Sequence, residues 1–110
     1  HYQFVWGVLG GCWLDLANFK RFIDLIPPDA TWSTCGVGPA QFRGAFIAAV
    51  EGGHIRVGLE DNINISKGVL AKGSYEQVEK AVKIARLADR EPATPDETRQ
   101  ILGLKGGPEI

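Results

Sequence analysis

Arg56, Glu60 and Asp61 are the residues of this 110-residue chain whose types and spacing could do chemistry. They lie in "HIRVGLEDN", residues 54 to 62, where an apolar stretch carrying Ile55, Val57 and Leu59 ends on two adjacent carboxylates and Asn62. Two carboxylates at the end of a buried strand can hold a metal, or divide the work as ligand and base. Successive residues of an extended strand point to opposite sides, so the two need not share a job. Read as strand, the stretch puts Arg56 and Glu60 on one face, about 13 Å apart at Cα. A guanidinium reaching that rim would favour an ionised carboxylate. The same residues also read as plain structure, because Asp-Asn is common turn chemistry and Arg56 could pair with a neighbouring strand. Gly58 would allow a close approach. His54, the only interior histidine, lies about 20 Å from Glu60 by strand rise and reads as structural.

The elements that position these residues repeat as strand, small-residue loop and helix. The first strand is expected over 4–9, buried on both faces and ended by Gly10-Gly11. Asp15 caps a helix to Ile26, with Leu16, Phe19, Phe22, Ile23 and Ile26 at helical spacing and Pro27-Pro28 as the stop. A second strand over 30–35 leads through "GVG" to a helix starting at Pro39 and ending near Glu51, with Phe42, Ala45, Phe46 and Ala49 inward. The third strand, 54–60, is followed by a long loop, "NINISKGVLAKG". A helix then follows with Ser74 as cap, Gln77 in the capping-box position and Val78, Ala81, Val82 and Ala85 as its stripe. Thr94, Pro95 and Glu97 begin a last helix over 95–102, Leu102 and Leu104 are expected to pack back, and "KGGPEI" to fray.

This α/β alternation predicts one parallel sheet with the strands in order 1-2-3. Three strands leave both edges open, and a doubly wound domain normally has about five. The pattern fits about three βα units, near 4–26, 30–51 and 54–90, of an eight-unit (β/α)8 TIM barrel. The whole of 1–110 then reads as a partial barrel domain, unstable as an isolated monomer. In such folds functional groups collect at the carboxyl ends of the strands, here Gly10 to Cys12, "GVG" and "LEDN".

Twelve Lys and Arg against 13 Asp and Glu give no electrostatic reason to expect nucleic acid or an acidic membrane. No apolar run approaches the ~20 residues that cross a bilayer. Cys12 and Cys35 are too few for a disulfide framework, which suits a reducing, cytoplasmic setting. There is no methionine, and the opening "HYQFVWGVLGG" reads as the start of a piece cut from a longer chain, with removal of an N-terminal tag or leader as the weaker alternative. "GVG" could cradle a phosphate at a helix N-terminus, which would make a small nucleotide-binding domain, although Pro39 removes one donor.

"GGHIRVGLEDN" and "ATPDETRQILGL", with "ATWSTCGVGPAQF" and "FVWGVLGG" before them, resemble the C-terminal part of the β-keto acid cleavage enzymes. "CWLDLANF" departs from the family's usual loop. The resemblance implies a zinc-dependent TIM barrel, usually a homo-oligomer, that takes a β-keto acid and acetyl-CoA to acetoacetate and a new CoA thioester. It implies Glu60 as a zinc ligand, Asp61 as general base and Arg56 as the residue orienting that base. The remaining ligands, an H-x-H pair, and an assisting serine belong to earlier strands. The alternative is a non-catalytic βα fragment or subunit that needs a partner to complete its barrel.

Overall fold

A computed structural model describes residues 1–106. Three strands, β1 (Tyr2–Trp6), β2 (Trp32–Gly36) and β3 (His54–Arg56), form one parallel sheet in the order β1-β2-β3, as the repeat predicts. Helices α1 (Leu16–Leu25) and α2 (Ala40–Glu51) are the crossovers, and α3 (Ser74–Leu87) and α4 (Pro95–Leu102) follow β3. The expected tail lies mostly at 107–110, outside the described residues.

Register fixes which side chains share a face. Phe4 pairs with Thr34, and Thr34 with Ile55. This face receives all three long helices. Phe22 of α1 stacks on Trp6 at 4.9 Å between ring centroids, and Phe19 meets Trp32 at 5.4 Å. In α2, the Gly44 carbonyl accepts from the Thr34 hydroxyl at 3.1 Å. Ile84 of α3 packs with Ala45, Ala49 and Ile55. By alternation, Gln3, Val5, Ser33, Cys35, His54 and Arg56 turn to the other face. Val5 there is 41% exposed, so β1 is not buried on both faces as its apolar run suggested.

Several boundaries move for identifiable reasons. Gly7, at φ +81°, ends β1 three residues before Gly10, and Leu9 is left almost fully exposed. The helices bury narrower faces than expected: Leu16 and Phe46 are exposed, and α2 uses Gln41, Gly44, Ala45, Ala48 and Ala49. Small side chains there let α2 lie close on β2. Pro39 caps α2 from just outside rather than opening it. Val78 is exposed, and the buried positions of α3 are Gln77 and Ile84. The loop after β3 contains an antiparallel hairpin, β4 (Asn64–Ser66) with β5 (Val69–Leu70), turned by Gly68 at φ +75°. Thr94 caps α4 with the full reciprocal box and Pro95 in its first turn, as read. Leu102 is half-buried, but Leu104 stays exposed.

Gly36 marks the tightest approach between β2 and α2. A Cβ there would stand 2.2 Å from the Ala40 carbonyl oxygen, which is backbone and cannot rotate away. In the full-length protein, Gly36→Ala is expected to lower the unfolding free energy by about 1–3 kcal/mol. Gly106→Ala, which among the described residues meets nothing within 4 Å, should change it little. Urea titration of the two variants checks the difference.

Candidate active site

The three chemistry-bearing residues meet, but not as a continuing strand would bring them together. β3 stops at Arg56, and residues 58–62 fold into a turn. The Gly58 carbonyl accepts from the backbone N–H of Asp61 at 3.2 Å and of Asn62 at 3.3 Å. The turn curls the carboxylates back over Arg56, so extended spacing does not apply. Arg56 Nη2 lies 3.1 Å from Glu60 Oε2 and 3.6 Å from Asp61 Oδ2. One guanidinium therefore bridges both anions.

The carboxylates differ sharply in surroundings. The Glu60 side chain is 80% exposed and that of Asp61 only 13%. Asp61 Oδ2 also accepts from the Cys35 thiol at 3.3 Å. Burial pushes the Cys35 thiol up to about 11, and the hydrogen bond to Asp61 adds to the rise. The thiol therefore stays protonated at neutral pH and acts as a donor.

The turn is held from below by buried amides. Gln41 of α2 donates to the Gly58 carbonyl at 3.1 Å and accepts from Asn62 Nδ2 at 3.2 Å. Gln77, fully buried on α3, donates to the Asn62 carbonyl. The Ser74 hydroxyl accepts from the Leu59 N–H at 3.2 Å. Ser74 and Gln77 are thus not the local cap and capping box their spacing suggested. Gly73 is the N-cap residue, and Glu76 reaches back to the Lys72 N–H instead. Gly58 serves through its carbonyl and not by close approach, since a Cβ there would meet only Ser74 Oγ at 3.9 Å.

"GVG" joins the same structure. The Gly38 N–H donates to the Asp61 carbonyl at 2.8 Å. With Pro39 lacking a donor, this occupies the N–H on which the phosphate-cradle reading leaned. His54 stands apart: burial, then the nearby Arg90 guanidinium, hold its imidazole below the ordinary value, which keeps it neutral. Cys12 and Cys35 are both free thiols.

Among the described residues no group of three His, Cys, Asp or Glu side chains could hold a metal. Catalytic zinc takes about three protein ligands. Glu60 fits one of them, because it is an accessible carboxylate at the carboxyl end of the sheet; Asp61 is committed to Arg56 and Cys35. Among the described residues no helix is long and apolar enough to cross a membrane. Sequence reasoning missed Cys35, Gln41 and Gln77. The signal for Gln41 and Gln77 was a polar residue on an otherwise apolar helix face.

The model of one family, described as beta-keto acid cleavage enzyme, matches residues 1–104. The 3-keto-5-aminohexanoate cleavage enzyme of Fusobacterium nucleatum is 49% identical over 106 residues, covering 96% of this chain and 38% of the relative. The enzyme of that name from Acetoanaerobium sticklandii is 43% identical, over 94% of this chain and 38% of the relative. The 3,5-dioxohexanoate:acetyl-CoA acetone transferase of Paraburkholderia graminis is 41% identical, over 94% and 35%. The chain spans well under half the length of these curated relatives.

Removing the Gln41 amide tests what holds the turn. Gln41→Leu keeps the volume, takes one of three donors from the Gly58 carbonyl and leaves one N–H of the Asn62 amide without its acceptor. In the full-length protein it is expected to cost about 1–3 kcal/mol of stability. Hydrogen exchange should quicken at the amides of 58–62 more than in β1.

Proposed function

Because the chain belongs to the beta-keto acid cleavage enzyme family, we propose that it is the C-terminal part of a zinc-dependent (β/α)8 enzyme. That enzyme takes a β-keto acid and acetyl-CoA to acetoacetate and a new CoA thioester. The observation that carries this reading is the Arg56 guanidinium bridging Glu60 and Asp61 beyond the carboxyl end of β3. Helices on one face of the sheet support a barrel segment over a doubly wound domain, which would cover both faces. Residues 1–110 then form about three of the eight units, and the open sheet edges meet the rest of the barrel.

Glu60 would supply one ligand to zinc, with two histidines from outside this segment. The ion, as a Lewis acid, would polarise the keto oxygen and stabilise negative charge developing on it. Asp61 takes the substrate proton. Arg56 holds Asp61 oriented before the proton moves, and offsets its repulsion from Glu60. The 58–62 turn keeps the two carboxylates in different settings, one open to solvent and one enclosed. The relatives' names carry acetyl-CoA as acceptor with several keto acids. These names support the common reaction without favouring one particular acid. A homo-oligomer in the cytoplasm completes the proposal. The same open edges support the alternative that this segment acts only once a partner completes its sheet.

Substitutions in the full-length enzyme separate the roles. Glu60→Gln keeps the shape but not the charge, so metal content should fall. Asp61→Asn should leave metal bound and lower turnover by about 10²-fold or more. Arg56→Lys keeps the charge without the planar fork and should give a milder Asp61-like loss. Metal analysis beside steady-state kinetics reads all three. Near-normal turnover in Asp61→Asn would remove Asp61 from the role of base.

A further inference from the structure

Cys35 plays no part in the chemistry proposed above, yet it is built against the residue that does. It is 1% exposed and pairs in register with Arg56, so both side chains rise from the same face of the sheet. Its thiol donates to Asp61 Oδ2, the same oxygen that Arg56 approaches. The Gly38 N–H holds the backbone carbonyl of Asp61. Among the described residues, no hydrogen bond reaches Asp61 Oδ1.

We infer that Cys35 is a positioning residue: its buried thiol and Arg56 together fix Oδ2 of Asp61, leaving Oδ1 as the oxygen that takes the substrate proton. This rests on the reading of Asp61 as base. The thiol hydrogen bond on Oδ2, with the Arg56 charge 3.6 Å from the same oxygen, opposes rotation of the carboxylate about χ2, which is otherwise a broad torsion. In the step itself the substrate C–H bond breaks, an O–H bond forms on Oδ1, and the electron pair stays on the substrate carbon. A buried cysteine also packs as a small hydrophobe. The packing role and the orienting role rank substitutions in opposite order. Valine fills the space and donates nothing. Serine donates but leaves a small void and buries a hydroxyl.

The test uses the full-length enzyme with Cys35→Ala, Cys35→Val and Cys35→Ser, and with Asp61→Asn as reference. Alanine and valine are expected to lower kcat about tenfold with KM within about twofold, as loss of one orienting hydrogen bond would. Serine should recover kcat to within about threefold of the parent. Valine equal to or better than serine, or effects on KM alone, would overturn the inference. If Asp61→Asn is inactive while Cys35→Val is normal, the role of Cys35 fails alone. If Asp61→Asn is active, the base assignment fails first, and this inference with it. A second readout does not need a well-folded Cys35→Ala. The infrared S–H stretch assigned to Cys35, by its absence in Cys35→Ser, should shift in Asp61→Asn; an unmoved band refutes the contact.

Discussion

Two adjacent carboxylates facing one guanidinium are the constraint around which the rest of the structure is arranged. Like charges at neighbouring positions repel, and the chain resolves this by separating their environments. Glu60 stays in water, where its repulsion is screened and its pairing with Arg56 contributes little, about 0–1 kcal/mol. Asp61 is drawn inward, where an anion needs partners. It receives Arg56 and the Cys35 thiol on its side chain and Gly38 on its backbone. Arg56 is the shared element. A neutral residue there would leave a nearly buried carboxylate beside a second negative charge.

Such an arrangement requires a turn at 58–62 that cannot unwind. The three elements around it contribute four groups from where each helix begins. The β2–α2 junction gives Gly38, the first turn of α2 gives Gln41, and the first turn of α3 gives Ser74 and Gln77. Helix starts make good supports because their backbones are anchored by packing further along. In α2 that anchor is the row of small residues on β2, and in α3 it is Ile84 against Ala45 and Ala49. Core packing and site geometry are thus coupled: a shift of either helix would move the amides beneath Asp61.

The parallel sheet and its strand order were legible because apolar runs and helical stripes recur at a steady interval. The grouping of Arg56, Glu60 and Asp61 was legible as types, though not as geometry. Spacing on an extended strand separated Arg56 from Glu60, whereas the turn at Gly58 brings them into contact. A glycine in a strand pattern can mark a bend as well as a close approach, and the sequence does not choose between them. Ser74 and Gln77 misled for a related reason. The pattern of a local capping box is identical to that of two polar groups aimed at another segment, and tertiary demand overrode the local bond. In the sequence Cys35 stands out only as one of two cysteines, too few for a disulfide framework. Its contact with Asp61 depends on the register of β2 against β3, and register is a property of two strands, not of one stretch.

The one-sided sheet gives the site its direction. Helices cover the face carrying Phe4, Trp6, Thr34 and Ile55, and these side chains supply the aromatic and aliphatic core. The opposite face carries Ser33, Cys35, His54 and Arg56, residues with donors, a thiol or a charge. Were helices to cover this face as well, these groups would have to be matched inside a second apolar layer, at a desolvation cost of several kcal/mol for the guanidinium alone. Without that layer, Ser33 meets His1, and Cys35 and Arg56 meet Asp61. The division between an apolar helix-bearing face and a mostly polar opposite one follows from the alternation of side chains in β1, β2 and β3. That same alternation puts Cys35 and Arg56 side by side beneath Asp61.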